Sequence, residues 1–260
     1  MTFFGGRERR AGRRPARQAL PGEETLAVDV DGAPVTVRLK RDPRARRLTL
    51  RLPTATSTPV VTVPTTTSTP EALRFLDRHE DWLAKRLAAK PSAVPFAAGA
   101  RLPLRGVAHA IEHRPTVRGT VWREEGEGEP KLCVAGGAEF LARRLTDWLK
   151  REARADLGAA VTRHAVRIER TVARISVRDT TSRWGSCSSS GRLSFSWRLV
   201  LAPPFVLDYV AAHEVAHLIE MNHSDRFWRL VDELCADTAT ARDWLRREGA
   251  ALHAYGQADG

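Results

Sequence analysis

The chain has 260 residues, 42% of them hydrophobic and 28% charged, enough for a sizeable core in one large or two modest domains. It has no run of eighteen apolar residues and no apolar stretch after its N-terminal arginines, so neither a membrane-spanning helix nor a secretory signal is expected. The formal net charge of +11 favours anionic partners, and Cys133, Cys187 and Cys235, with no CxxC pair, predict reduced thiols and a cytoplasmic location.

Residues 1–20 read as a disordered basic tail, in which Arg7, Arg9, Arg10, Arg13, Arg14 and Arg17 face only Glu8. No aromatic residue alternates with these arginines, so a weak nucleic-acid contact is the most the tail implies. Residues 21–135 read as a β-rich region with one helix. Leu26, Val28 and Val30, then Val35, Val37 and Leu39, alternate with polar residues around Asp31-Gly32, which predicts a hairpin. A third strand is expected in RRLTLRL, with Val60, Val61 and Val63 as a partner across the Thr/Pro-rich turn. Thr69 is the expected cap of a helix with Pro70 at its first position, ending at Lys90-Pro91. Extended segments follow near residues 102–104, 108–113, 117–122 and 131–134.

Residues 136–260 form the second predicted region, with Gly136-Gly137 as the boundary. Phe140, Leu141, Leu145, Trp148, Leu149 and Leu157 recur at helical spacing over about 138–166. Strands are expected at Ile175 and Val177 and over residues 193–200, and Pro203-Pro204 precedes another helix. The whole is an α+β arrangement.

In that last helix, DYVAAHEVAHLIEMNHSDRF places His213 and His217 four residues apart, stacked on one face. Glu214 lies on the adjacent face. In an HExxH arrangement two imidazoles hold zinc and the glutamate handles protons. The helix is expected to run from Pro204 to Leu218 or Glu220, and a left-handed Asn222 would fold His223 back as a third ligand. Ser224 would then cap the next helix. Three neutral imidazoles leave tetrahedral zinc one open position for water, whose proton Glu214 would take. Glu233 is an alternative third ligand. If Cys187 or Cys235 closed the coordination sphere, the zinc would be structural.

The residues Arg183-Trp184-Gly185-Ser186-Cys187-Ser188, Trp197-Arg198-Leu199, Ala202-Pro203, Asp208-Tyr209, His213-Glu214, His217 and Asn222-His223-Ser224 together resemble the YgjP-like family of metal-dependent hydrolases. That family is related to SprT-like proteins and other small zincins. Phe227-Trp228, Trp244-Leu245, RRLTLRL and the FLDRHEDWLAKRL helix also fit, so the resemblance covers most of the chain after the tail. It departs at Ser196, where asparagine is expected. The resemblance implies one zinc ion on His213, His217 and His223, with Glu214 as general base. It also implies a zincin-like C-terminal half, with the metal helix beside a small antiparallel sheet. Members are described as metallopeptidases, and a nucleotide (UTP) pyrophosphatase activity is also attached to the family.

RWGSCSS would separate the two chemistries. An extended edge strand there could pair with a peptide backbone, whereas Arg183, Ser186, Ser188 and Arg198 could grip phosphate. The opposite reading is a tight turn with a conformational Gly185 and a core Trp184. Tyr209, four residues before His213 on the same helix face, is a candidate further substrate contact, with core packing as the alternative. The expected function is therefore a zinc metallopeptidase acting on a peptide or protein. A UTP pyrophosphatase is the alternative, and a nucleic-acid-associated protein with structural zinc is the second.

Overall fold

In the computed structural model, which describes residues 23–53, 58–89 and 91–257, Asp31 and Gly32 both take left-handed backbone, at φ 50° and 77°. This two-residue turn twists with the strands it joins, so β1 (Glu23–Val30) folds directly onto β2 (Ala33–Arg41), with Val30 opposite Ala33. The expected basic tail at 1–20 lies outside the described residues. β3 (Thr49–Arg51) pairs antiparallel with β4 (Val60–Val63), and β4 runs parallel to β2, giving the order β1-β2-β4-β3. Val37, Leu39, Val61 and Val63 have no exposed surface.

The expected single helix is two, α1 (Thr69–Asp77) and α2 (Glu80–Ala88). Its cap lies one residue earlier than expected. Ser68 Oγ accepts from Glu71 N at 3.4 Å, while the Thr69 hydroxyl is turned toward Glu24 and Arg41. The break falls at Arg78-His79, where His79 Nδ1 bonds the Phe75 carbonyl at 2.8 Å. Residues 23–52 and 58–85 form one compact unit, and the chain from 86 onward forms a second.

The second unit opens with β5 (Arg101–Leu104), β6 (Val107–Arg114), β7 (Val121–Glu124) and β8 (Lys131–Ala135), in the order β5-β6-β8-β7. The boundary read at Gly136-Gly137 is a turn inside this unit. Leu132 and Val134 of β8 are fully buried in the same core as Leu145 and Leu149 of α3 (Leu141–Arg167). α3 buries a stripe at near-fourfold spacing, from Leu141 through Leu145, Leu149, Ala153 and Leu157 to Val161.

β9 (Arg174–Arg178), β10 (Gly185–Cys187) and β11 (Arg192–Ser196) make a sheet of order β10-β11-β9. β10 is antiparallel to β11 but β9 is parallel to it, so the sheet is mixed where an antiparallel one was expected. A 3-10 turn over Trp197–Leu201 leads into α4 (Pro204–Ala216), followed by α5 (Asp225–Leu234) and α6 (Thr238–Glu248). Three small sheets and six α-helices thus make up the described residues, and none of those helices is long and apolar enough to cross a membrane.

Arg198 ties the C-terminal turn to this sheet. Its Nε donates to Asp179 Oδ1 at 2.8 Å, and its Nη1 donates to the carbonyls of Leu252 and Tyr255 at 2.9 and 2.6 Å. Its guanidinium also lies 4.6 Å from the Trp197 ring centre. Only 6% of Arg198 is exposed, so losing these donors leaves buried acceptors unmet. Arg198→Met should lower the unfolding free energy of this unit by about 2 kcal/mol, read by tryptophan fluorescence in urea. An unchanged midpoint and slope would remove the clamp from the account.

Candidate metal centre

α4 is apolar on almost every side. Val206, Leu207, Tyr209, Val210, Ala211, Ala212, Val215 and Ala216 are all buried, as expected of a core helix. Pro204 occupies its first turn, where a missing N–H costs nothing. Asp208 fastens it to α3 by accepting from the buried His164 at 2.8 Å and pairing with Arg163. His213 and Glu214 lie in the last turn. The helix stops earlier than expected, with His217 as its C-terminal cap at φ −64°.

The return of the chain also differs from the expectation. Asn222 is not left-handed; its side-chain Oδ1 instead accepts from Ser224 N at 3.2 Å, an Asx turn. Ser224 does cap α5, accepting from Phe227 N at 3.4 Å. His223 is held between these two local bonds.

Among the described residues, His213, His217 and His223 form a group whose possible ligand atoms all lie within 4.8 Å of one another. The Nε2 atoms of His213 and His223 are 3.2 Å apart. Two nitrogens bound at about 2.05 Å to one tetrahedral zinc would be separated by about 3.3 Å, so the pair fits that ion. His217 Nδ1 lies 2.9 Å from the Glu220 carbonyl, which can only accept. That contact puts the proton on Nδ1 and leaves the Nε2 lone pair for a metal. His213 Nδ1 is buried without a partner among the described residues. The fully buried Phe227 lies beneath all three imidazoles, with ring centres 4.9, 4.5 and 4.7 Å from His213, His217 and His223.

Burial, reinforced by the neighbouring imidazoles and Arg242, pushes His213 down to about 4. Burial also lowers His217, against the opposing Glu220 carbonyl. Both rings are therefore neutral at pH 7, as metal ligation requires. Glu214 is 5% exposed, and burial pushes its carboxyl up to about 7, with Arg183 acting in the other direction. β10 crosses over this carboxyl at Gly185. A Cβ there would lie 2.4 Å from Glu214 Oε1 and 2.6 Å from its Cγ. Gly185 is thus required by a close approach, not by a turn conformation.

Of the remaining candidates, Ser186 is central in β10, opposite Ser194. The Ser188 hydroxyl is used inside the following turn, 2.9 Å from Ser190 Oγ and accepting from Arg192 N at 3.1 Å. Arg198, expected as a possible phosphate contact, is committed to the internal clamp described above. Trp184 stacks on His253, with ring centres 4.9 Å apart. The Tyr209 ring lies 5.9 Å from that of His213, and Arg183 is exposed beside Glu214. Glu233, Cys187 and Cys235 do not join the histidine group; Glu233 instead lines a separate surface groove with Ile219, Arg226 and Arg229. Arg242 on α6 was not a candidate from sequence, because no spacing links it to the histidines. Its guanidinium lies 4.3 Å from the ring centre of Trp228.

No curated protein matches the chain. Among solved structures, the metallopeptidase zymogen of Pyrococcus abyssi abylysin is similar at 16% identity, with a TM-score of 0.32, over 35% of this chain and 95% of its own. At that score the likeness carries no weight. The model of the YgjP-like metallopeptidase domain family, by contrast, matches residues 46–248, from the approach to β3 to the last residue of α6. The chain belongs to the YgjP-like family of metallopeptidase-type hydrolases.

Proposed function

We propose that the protein is a zincin-like, zinc-dependent peptidase in which His213, His217 and His223 hold one ion and Glu214 is the general base. The observation that carries this reading is the convergence of three imidazoles, those of His213 and His217 held neutral by burial, beside a buried glutamate whose carboxyl is raised to about 7. Zinc held there supplies Lewis acidity to a carbonyl and to water. The Glu214 carboxylate accepts a proton from water and delivers it to the leaving nitrogen of the peptide. A group poised near neutral pH serves in both directions.

β10 supports a peptide substrate. Trp184 O accepts from Ser196 N and Ser188 N donates to Arg192 O, so these positions face β11. By the alternation of an antiparallel ladder Ser186 faces β11 as well, and Gly185 and Cys187 turn their N–H and C=O toward the free edge. An extended peptide can add there as a further strand, next to Glu214. The phosphate-gripping set proposed for UTP hydrolysis is weakened, because Ser188 and Arg198 already have internal partners. A structural zinc is disfavoured by the absence of a cysteine from the histidine group among the described residues.

The test is a paired assay of zinc-loaded wild type and Glu214→Gln against casein and UTP. Casein hydrolysis should fall roughly 10²–10⁴-fold in the variant while bound zinc is retained. Zinc-dependent UTP hydrolysis without proteolysis would overturn the peptidase reading. The same pair has a pH signature. Glu214 goes from 4.5 unfolded to about 7 in the metal-free fold, so its stabilising contribution is complete below pH 4.5 and lost as pH rises through about 7. Metal-free Glu214→Gln should therefore be more stable than metal-free wild type at pH 8, by up to about 3 kcal/mol, with the gap closing near pH 4.5. A gap independent of pH would contradict a buried, titrating Glu214.

Gly185→Ala separates positioning from folding. Its methyl would meet Glu214 from Cγ to Oε1, so that buried side chain must shift, and the fold should survive with about 1–3 kcal/mol lost. The displaced carboxyl should cost about a hundredfold in kcat. Wild-type activity in this variant would show that β10 does not position Glu214.

A further inference from the structure

Arg242 stands at the rim of the histidine group without an acidic partner. Its helix neighbours Arg246 and Arg247 both pair with Asp243, but Arg242 has no hydrogen bond or ion pair among the described residues. Its guanidinium lies over Trp228, whose ring is 5.8 Å from that of His213 and 5.7 Å from that of His223. Its charge reaches Tyr209 and His213. Asp232 also acts on Tyr209, yet forms no ion pair with Arg242 among the described residues. Stacking on an indole fixes the plane of a guanidinium while leaving its forked N–H donors free. Such a fork matches a carboxylate, which can accept two parallel bonds from it. On the other flank Arg183 is exposed beside Glu214, so the rim has two arginines, one next to Glu214 and one next to His213.

We propose that Arg242 is a specificity-determining residue that binds a carboxylate of the peptide substrate on the His213–His223 flank of the site. The carboxylate is either an Asp or Glu side chain near the scissile bond or the C-terminus of the substrate. The proposal rests on the peptidase reading above.

The test uses zinc-loaded full-length protein and quenched fluorescent peptides in matched sets. One set carries Asp or Glu against Asn or Gln at each position flanking the scissile bond; the other has a free or an amidated C-terminus. The readout is the ratio of kcat/KM between charged and neutral members, with zinc content measured for every variant. Wild type should favour the carboxylate by about tenfold or more. That ratio should fall to about one in Arg242→Gln, recover in part in Arg242→Lys, and invert in Arg242→Glu. The set that carries the ratio identifies the source of the carboxylate. Equal rates on charged and neutral peptides in wild type would overturn the proposal while leaving the peptidase reading intact. An equal loss on both in Arg242→Gln would also overturn it, by showing a structural role. Cleavage of no peptide at all by wild type would bring down the peptidase reading and the proposal together.

Discussion

A helix buried on all its sides can carry ionisable groups only where some other group compensates the water they lose, and α4 is such a helix. At Asp208 the compensation is internal, through His164 and Arg163 of α3, which outweigh burial and hold the carboxyl below its usual range. At Glu214 and His213 it is incomplete. Burial pushes the acid up and the imidazole down, so both favour their neutral forms. The interior that closes around Asp208 thus leaves a partly buried, uncompensated cluster further along the helix. A dication is the kind of group that would complete it.

Several otherwise separate features serve that cluster. Phe227 closes the underside of the imidazoles, and the Glu220 carbonyl sets the tautomer of His217. Gly185 lets a strand edge approach Glu214 more closely than any side chain would allow. Arg198 and the stacked Trp184 and His253 hold the sheet that carries this strand against the C-terminal turn. Stability and function pull apart here. A buried, partly ionised glutamate weakens the fold near neutral pH, and the same burial suits it to the proposed role of base.

Much of this was legible in the sequence wherever a local rule decides the outcome. Asp31-Gly32 dictates its hairpin because few residue pairs accept two left-handed positions in succession. The spacing of His213, His217 and His223 on and after a helix brings them together in the fold as read. Errors came where two local rules compete. Ser68 and Thr69 can both cap a helix, and the neighbourhood of Glu24 and Arg41 claimed the threonine. Asn222 can turn a chain by backbone or by side chain, and it uses the side chain. Gly136-Gly137 looked like a boundary because composition changes there, but the core passes straight across it. The tertiary roles of Gly185, Arg198 and Arg242 left no spacing signal. Each depends on a residue remote in sequence: Glu214, Leu252 with Tyr255, and Trp228.

In the proposed site three imidazoles, and no cysteine or further carboxylate, hold one zinc ion. The most direct measurement is the zinc content of the purified protein by elemental analysis, compared with the His213→Ala/His217→Ala double variant and with Cys187→Ser. Wild type and Cys187→Ser should each carry one zinc per chain, and the double variant should lose the ion. Undiminished zinc in the double variant, or its loss in Cys187→Ser, would contradict this assignment.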